Sequence, residues 1–592
     1  MSILDSTLLR SRIGVTLHKC WTRFASALLV LISLGFMYGP SFTEYGRNCK
    51  DPMSFNDDVR IWIFPFFRYH DPELFQSDYT ADYFLTQTPL IHRALYTGGS
   101  PYVDPVFISK YLPIGLYILL LITMAAASHR LGGMAAAWAT LALTMSSYVF
   151  LDNMTGGLAR SWAFPIIGTA AALLVYGRIY ALALLAVVAA GLYPVVAVLV
   201  GISLAIVLLF FPKQDRGQAV SWSPRKTATL ILATMIMSLA VLLPLVLSLR
   251  DYGERLGQKH EKLYPETGPG GRYGFDDRTP FLDPASALAD AFGRTLQGGG
   301  KPWFESLRSF VSNGYRFGSP LSVPFAATVA LFGVFTIFGF LRLARAKDPA
   351  ARRLLALPAA SVAGYALACI AFPHLFLPQR FSIYPIPVFT CIAIPAAAAG
   401  FAQTVQKAPL RRALQPIIVI GVTALCLAFL GGRGGSDTGF TVHLTRDVGL
   451  YRYIAALEPD SLIAGWPEGT MDNIPYICRR KVLVTFETHQ ALSTGYADEM
   501  RKRMHGLIDA YFAVDPEPIS KLRDEFGVTH LVVDLTHFEM HAPQYFAPFD
   551  AWTEQAHANC LKHGSELLRL VSDQAVFREG SLAVLDLGKM GK

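Results

Sequence analysis

Residues 180–211 read YALALLAVVAAGLYPVVAVLVGISLAIVLLFF, an uncharged and almost wholly apolar run. As one helix it would be about 48 Å long at roughly 1.5 Å per residue. A bilayer's hydrocarbon core is only about 30 Å thick. Tyr193-Pro194 offers the break, because Pro lacks a backbone N–H and is best placed in a helix's first turn. The run therefore reads as two short spans, 180–193 and 194–211. That choice sets which loops share a side of the membrane.

Working outward, further apolar runs lie at 24–38, 111–127, 131–150, 160–177, 227–249, 323–342, 354–372, 382–402 and 415–431. With the broken pair they make about eleven spans. The run at 24–38 follows Arg10, Arg12, Lys19 and Arg23 and has no small-residue cleavage site, so a retained first span is expected. Basic clusters at Lys213/Arg216/Arg225/Lys226, Arg342/Arg345/Lys347/Arg352/Arg353 and Lys407/Arg411/Arg412 should face the cytoplasm. With the N-terminus inside, all three fall inside only if 180–211 crosses twice. Composition agrees: 52% of the 592 residues are hydrophobic, and 16% are charged against about 25% in a soluble chain. The net charge of +8 sits in loop clusters between apolar runs, so no nucleic-acid partner is expected.

The expected fold is mainly α: a polytopic membrane protein of about eleven transmembrane helices, with a soluble α/β domain at its C-terminus. Residues 1–431 form the membrane part, with large outer loops at 41–110 and 250–322. The tail, 432–592, alternates helical and buried-strand patterns: helices at 451–457 and 518–526, strands at 461–465, 481–486, 529–534 and 581–587. Gly268-Pro269-Gly270-Gly271 and Gly298-Gly299-Gly300 mark turns in the second loop, which is expected to roof a cavity and to order when a donor binds. No Cys-x-x-Cys pair occurs among the seven cysteines. A disulfide among Cys49, Cys478 and Cys560 is allowed in an oxidising compartment.

The first outer loop holds the chemistry. It reads Phe55-Asn56-Asp57-Asp58-Val59-Arg60-Ile61-Trp62-Ile63-Phe64-Pro65-Phe66-Phe67-Arg68. Adjacent carboxylates beside a membrane are costly unless they meet cations, metal or water. Asp57 or Asp58 could take a proton from an acceptor hydroxyl; the plainer role is a helix cap. The aromatic stretch after them is expected to lie in the membrane interface. Asp78 and Asp152 are the additional acidic candidates, and oxygen ligands of this kind suit a divalent cation such as Mg or Mn. Two short outer turns each carry an arginine. Asp152-Asn153-Met154-Thr155-Gly156-Gly157-Leu158-Ala159-Arg160 puts two glycines before Arg160, where a backbone could approach a ligand. Pro378-Gln379-Arg380-Phe381 offers Arg380. A guanidinium fork matches phosphate, so Arg160 and Arg380 are donor-phosphate candidates; an arginine at a span's end otherwise snorkels to water. No nucleophile-elbow, zinc-protease or phosphate-loop pattern is present in the sequence.

This order of features resembles the GT-C superfamily of membrane glycosyltransferases: the Asp57-Asp58 pair after the first span, the Gly157…Arg160-Ser161 and Pro378…Arg380-Phe381 turns, and the α/β tail. The resemblance implies transfer of a sugar from a polyprenyl-phosphate carrier to an envelope glycan, lipid or protein, on the outer face of the inner membrane. It implies an inverting reaction with Asp57 or Asp58 as base, arginines on the carrier phosphate, and a periplasmic tail. Two branches fit poorly. The Trp-Trp-Asp-Tyr-Gly motif of oligosaccharyltransferase catalytic subunits is absent. Asp57-Asp58 stands where protein O-mannosyltransferases and lipid A aminoarabinose transferases have Asp-Glu. The rival readings are a transporter or flippase of lipid-linked sugars, and an inactive scaffold. Repeated halves and charges at mid-membrane mark transporters, and neither is evident here.

Overall fold

The computed structural model describes residues 39, 41–211, 213–215, 218–220, 223–257, 260–272, 291, 322–371, 377–402, 410, 414–422 and 438–589. The span expected at 24–38, the Gly298–Gly300 turn, and the basic residues Lys407, Arg411 and Arg412 lie outside these residues. So does the proposed boundary at 431/432.

Among the described residues five helices are long and apolar enough to cross a membrane, and shorter apolar helices run Ile179–Leu192, Pro194–Phe210 and Gly333–Ala344. The break at Tyr193 is present: its backbone is extended (φ −154°, ψ 100°), and Pro194 opens the next helix. The runs expected at 111–127 and 131–150 are two helices that meet at Gly133 (φ 77°, ψ −167°), a conformation that disfavours any side chain, and Thr140 Oγ1 donates to Ser128 Oγ at 2.8 Å between them. The helices alternate in direction. One end of the bundle therefore collects Arg130, Arg178, Arg225, Arg345 and Arg353. Arg130 bonds Asp348 there at 2.9 Å, holding two helices together. The other end collects 147–162, Tyr193 and 377–380. The apolar window within Arg380–Phe401 is wholly covered by protein, whereas that within Pro224–Tyr252 is almost bare. The first helix forms the bundle's centre, and the second presents its apolar side chains to lipid.

The tail holds a five-stranded sheet in the order Lys481–Val482, Leu462–Ala464, His530–Asp534, Leu582–Asp586, Phe577–Glu579. The first three strands are parallel and the last two join antiparallel, with Leu531 opposite Leu585 and Val532 opposite Val584. The strand expected over 481–486 shortens to two residues. Helices Thr494–Tyr511, Phe549–His563 and Glu566–Gln574 were not read from the sequence.

The aromatic stretch of the first loop is not interfacial. Ile63, Phe64, Phe66 and Phe67 are buried in one core with Tyr476, Leu483, Tyr496 and Leu531 of the tail. Apolar rings gain more from a closed core than from a headgroup layer. The loop is also stitched to the tail by backbone, since Ser54–Phe55 pairs antiparallel with Val442–His443. Cys49, Cys478 and Cys560 are free and buried, so the disulfide allowed by the sequence is not formed.

Candidate active site at one end of the bundle

The backbone first brings two segments together. Gly156 and Gly157 both have positive φ (100° and 60°). A side chain at Gly157 would meet Ser109 Cα and the Tyr96 hydroxyl at 2.8 Å, and one at Gly156 would meet Asn56 Cβ at 3.2 Å. The glycines expected to admit a ligand instead admit the first loop and the neighbouring helix. Tyr96 Oη donates to Gly157 O at 2.8 Å, fixing the turn.

That packing sets Arg160 against the acidic pair. Arg160 Nη1 lies 2.5 Å from Asp58 Oδ2, and its Nη2 donates to Asn56 Oδ1 at 3.0 Å. Its Nε is buried without a hydrogen-bond partner among the described residues. Asp58 stands at the start of helix Val59–Trp62 but its side chain caps nothing. Capping, the plainer role, is therefore not what its carboxylate does.

Asp57 turns the other way and pairs with Arg60. Arg60 is mostly buried and also meets Glu487 at 3.1 Å, Asp472 at 3.8 Å and Asn473 Oδ1 at 3.4 Å. Arg272, from the second loop, reaches Glu487 at 3.4 Å and lies 3.8 Å above the Phe486 ring. Three carboxylates thus face two guanidiniums. Burial pushes Glu487 up to about 7 and Asp472 up to about 6, against the pull of Arg60. This cluster was missed in the sequence. Arg60 three residues after Asp57 was the readable signal; Glu487 gave none.

Arg380 comes from the far end of the chain to the same end of the bundle. Its Nη1 donates to Tyr193 Oη at 3.2 Å, and the Tyr193 and Tyr384 hydroxyls are 3.2 Å apart. The Tyr384 ring packs edge-on against Phe164, four residues after Arg160, with centroids 5.4 Å apart. The segments that carry the two phosphate candidates are therefore neighbours. Neither arginine merely snorkels.

Asp78 and Asp152 do not join them as metal ligands. Asp78 is buried at the start of helix Tyr79–Thr86 and accepts from Ala81 N at 2.6 Å, a cap; burial raises its pKa. Asp152 lies on helix Tyr148–Met154 with its backbone against Gly439. Among the described residues no three His, Cys, Asp or Glu side chains gather to hold a metal ion. These residues do not fit the Mg or Mn that the sequence allowed.

No protein-family model matches the chain, and no curated protein matches it in sequence. Among solved structures it is similar to the apo oligosaccharyltransferase of Archaeoglobus fulgidus, 12% identical with a TM-score of 0.45, over 82% of this chain and 66% of that one. The chain thus spans just under two thirds of that protein's length. It is also similar to ArnT of Cupriavidus metallidurans, solved bound to undecaprenyl phosphate, 13% identical with a TM-score of 0.40, over 96% of this chain and 98% of that one. Apo ArnT from the same organism gives 15% identity and a TM-score of 0.39 over the same shares.

Proposed function

We propose that the chain is an inverting membrane glycosyltransferase that takes a sugar from a polyprenyl-phosphate carrier and places it on an envelope glycan, lipid or protein. Supporting this reading is one observation above others: Asp58 and Arg160, drawn from distant stretches, pair at 2.5 Å, and Arg380 bonds Tyr193, whose neighbour Tyr384 packs against Phe164, four residues after Arg160. The reaction needs a base for the acceptor hydroxyl and cations for the departing phosphate. Asp58 is assigned as the base, and Arg160 and Arg380 as the phosphate ligands. With no donor bound, Asp58 balances Arg160. A donor phosphate competes for the guanidinium, which frees the carboxylate to act. The acceptor oxygen then attacks the anomeric carbon, the carbon–oxygen bond to phosphate breaks, and the proton passes to Asp58. The leaving phosphate gains negative charge where two arginines offset it. Asp57, held by Arg60 and facing the tail, is assigned a structural role. The same reading places about eleven spans in an inner membrane, the N-terminus in the cytoplasm, and the tail in the periplasm.

The test is transfer from radiolabelled polyprenyl-phosphate sugars to extracted envelope acceptors by wild type, Asp57→Asn and Asp58→Asn in membranes. Loss of transfer in Asp58→Asn alone, with the protein still folded, is the expected outcome. Equal transfer in all three refutes the base assignment. Binding of the carrier without any transfer favours a flippase.

A further inference from the structure

We infer that Asn56 is a positioning residue for this site, and that the segment entering the tail, residues 438–441, acts through it on Asp58 and Arg160. The inference rests on the transfer reading above. Asn56 is 4% exposed. Its Nδ2 donates to Gly439 O at 2.8 Å, and its Oδ1 accepts from Arg160 Nη2 at 3.0 Å and from Asp58 N at 3.3 Å. An asparagine has one oxygen to accept and one NH2 to donate. If the amide were flipped, NH2 would face the guanidinium and oxygen would face the Gly439 carbonyl, both repulsive. The tail carbonyl therefore dictates that the oxygen meets Arg160. With Asp58 on Nη1 and Asn56 on Nη2, the fork is held from two directions.

The segment itself has little freedom. Thr438 O accepts from Thr155 Oγ1 at 2.7 Å, Thr438 Oγ1 accepts from Asn48 Nδ2 at 3.3 Å, and Thr441 Oγ1 accepts from Asp57 N at 3.0 Å. Gly439 has φ +75°. A side chain there would lie 2.7 Å from Thr155 Cβ and 2.9 Å from Asp152 Cα. Only glycine lets the segment sit this low over the 152–155 turn. The chain Asp152/Thr155, Gly439, Asn56, Arg160/Asp58 is contiguous. A displacement at Gly439, which touches none of the reacting groups, reaches both of them through one amide.

The test uses the full-length protein in nanodiscs, with a polyprenyl-phosphate sugar as donor, and compares Asn56→Leu, Gly439→Ala, their double variant and Asp58→Asn. Each single variant is expected to lower kcat about tenfold to a hundredfold, the range for a misplacement near 1 Å, with donor KM changed less than about threefold. The double variant is expected to be no worse than the worse single, because both break one linkage. Multiplied losses, or wild-type kcat in Asn56→Leu, overturn the inference. Transfer surviving Asp58→Asn refutes the base assignment instead, and no transfer by wild type refutes the transfer reading on which the inference rests. Hydrogen exchange then decides the positioning claim without activity. Gly439→Ala is expected to speed exchange in the 56–62 peptide, and unchanged exchange there overturns it.

Discussion

Replacing Arg60 by Met tests whether the buried charge cluster joins the first loop to the tail. Arg60 faces Asp57, Asp472 and Glu487, and the last two are 6% and 13% exposed at their side chains. Met keeps the stem's packing and removes the charge. Two carboxylates then lose their shared cation inside a core they cannot leave. Removing one partner of a buried ion pair costs about 3–5 kcal/mol. For a cooperative unit of about 150–250 residues that is roughly 6–20 °C in melting temperature. The sign with pH follows from linkage. Glu487 and Asp472 are held above their usual values, to about 7 and about 6, so the folded state binds more protons than the unfolded one. Wild-type stability should fall as pH rises from about 4 to about 7, then level off. Without Arg60 both carboxylates move further up, and the fall steepens and extends past pH 7. Below about pH 4 they are neutral in both states, and the deficit should shrink. The measurement is melting of the full-length protein in detergent, followed by tryptophan fluorescence from pH 4 to pH 8. A deficit that is the same at every pH refutes the electrostatic account, leaving lost packing as its cause.

Other outcomes follow from neighbouring geometry. Arg160→Lys keeps a cation near Asp58 but loses the planar fork that matches a phosphate; donor KM should rise about tenfold with the protein folded, read from initial rates against donor concentration. His92 is buried, its pKa pushed down to about 3 by burial, and its Nδ1 accepts from Trp162 Nε1 at 3.2 Å. Trp162→Phe should therefore cost about 1–3 kcal/mol by leaving that nitrogen unsatisfied, seen as a lower melting temperature. A melting curve unmoved by this change counts against the bond. Gly133→Ala should destabilise the junction between the two helices that meet there by about 1–3 kcal/mol through backbone strain alone, since no atom crowds the position.

Much of the membrane architecture was legible because spans obey strong one-dimensional rules. Apolar length and Tyr193-Pro194 are enough to place the break between the helices Ile179–Leu192 and Pro194–Phe210. The tail was legible where strands are buried on both faces, as at His530–Asp534. It failed for Thr494–Tyr511, whose low overall hydrophobicity reflects a helix with one face in the core and the other in water. The placement of 61–67 was misread because a run of aromatic residues has the same composition in an interface and in a core. The partner that decides between them, the tail, begins almost four hundred residues later.

The division between Asp57 and Asp58 was not legible for a different reason, and that reason bears on how the site works. Successive residues entering a helical turn project about 100° apart. Two adjacent carboxylates there cannot serve one partner. Asp57 is carried toward Arg60 and the tail, and Asp58 toward Arg160 and the bundle. Sequence shows two equivalent acids; the turn makes one part of the joint between loop and tail and the other part of the charge balance at the bundle's end. Asn56 precedes both and bonds the tail with one side of its amide and Arg160 with the other. Three consecutive residues thus join the tail to the arginine. Any motion of the tail is therefore felt at Asp58 through the two hydrogen bonds of one amide, and the pairing of Asp58 with Arg160 cannot be indifferent to where the tail sits.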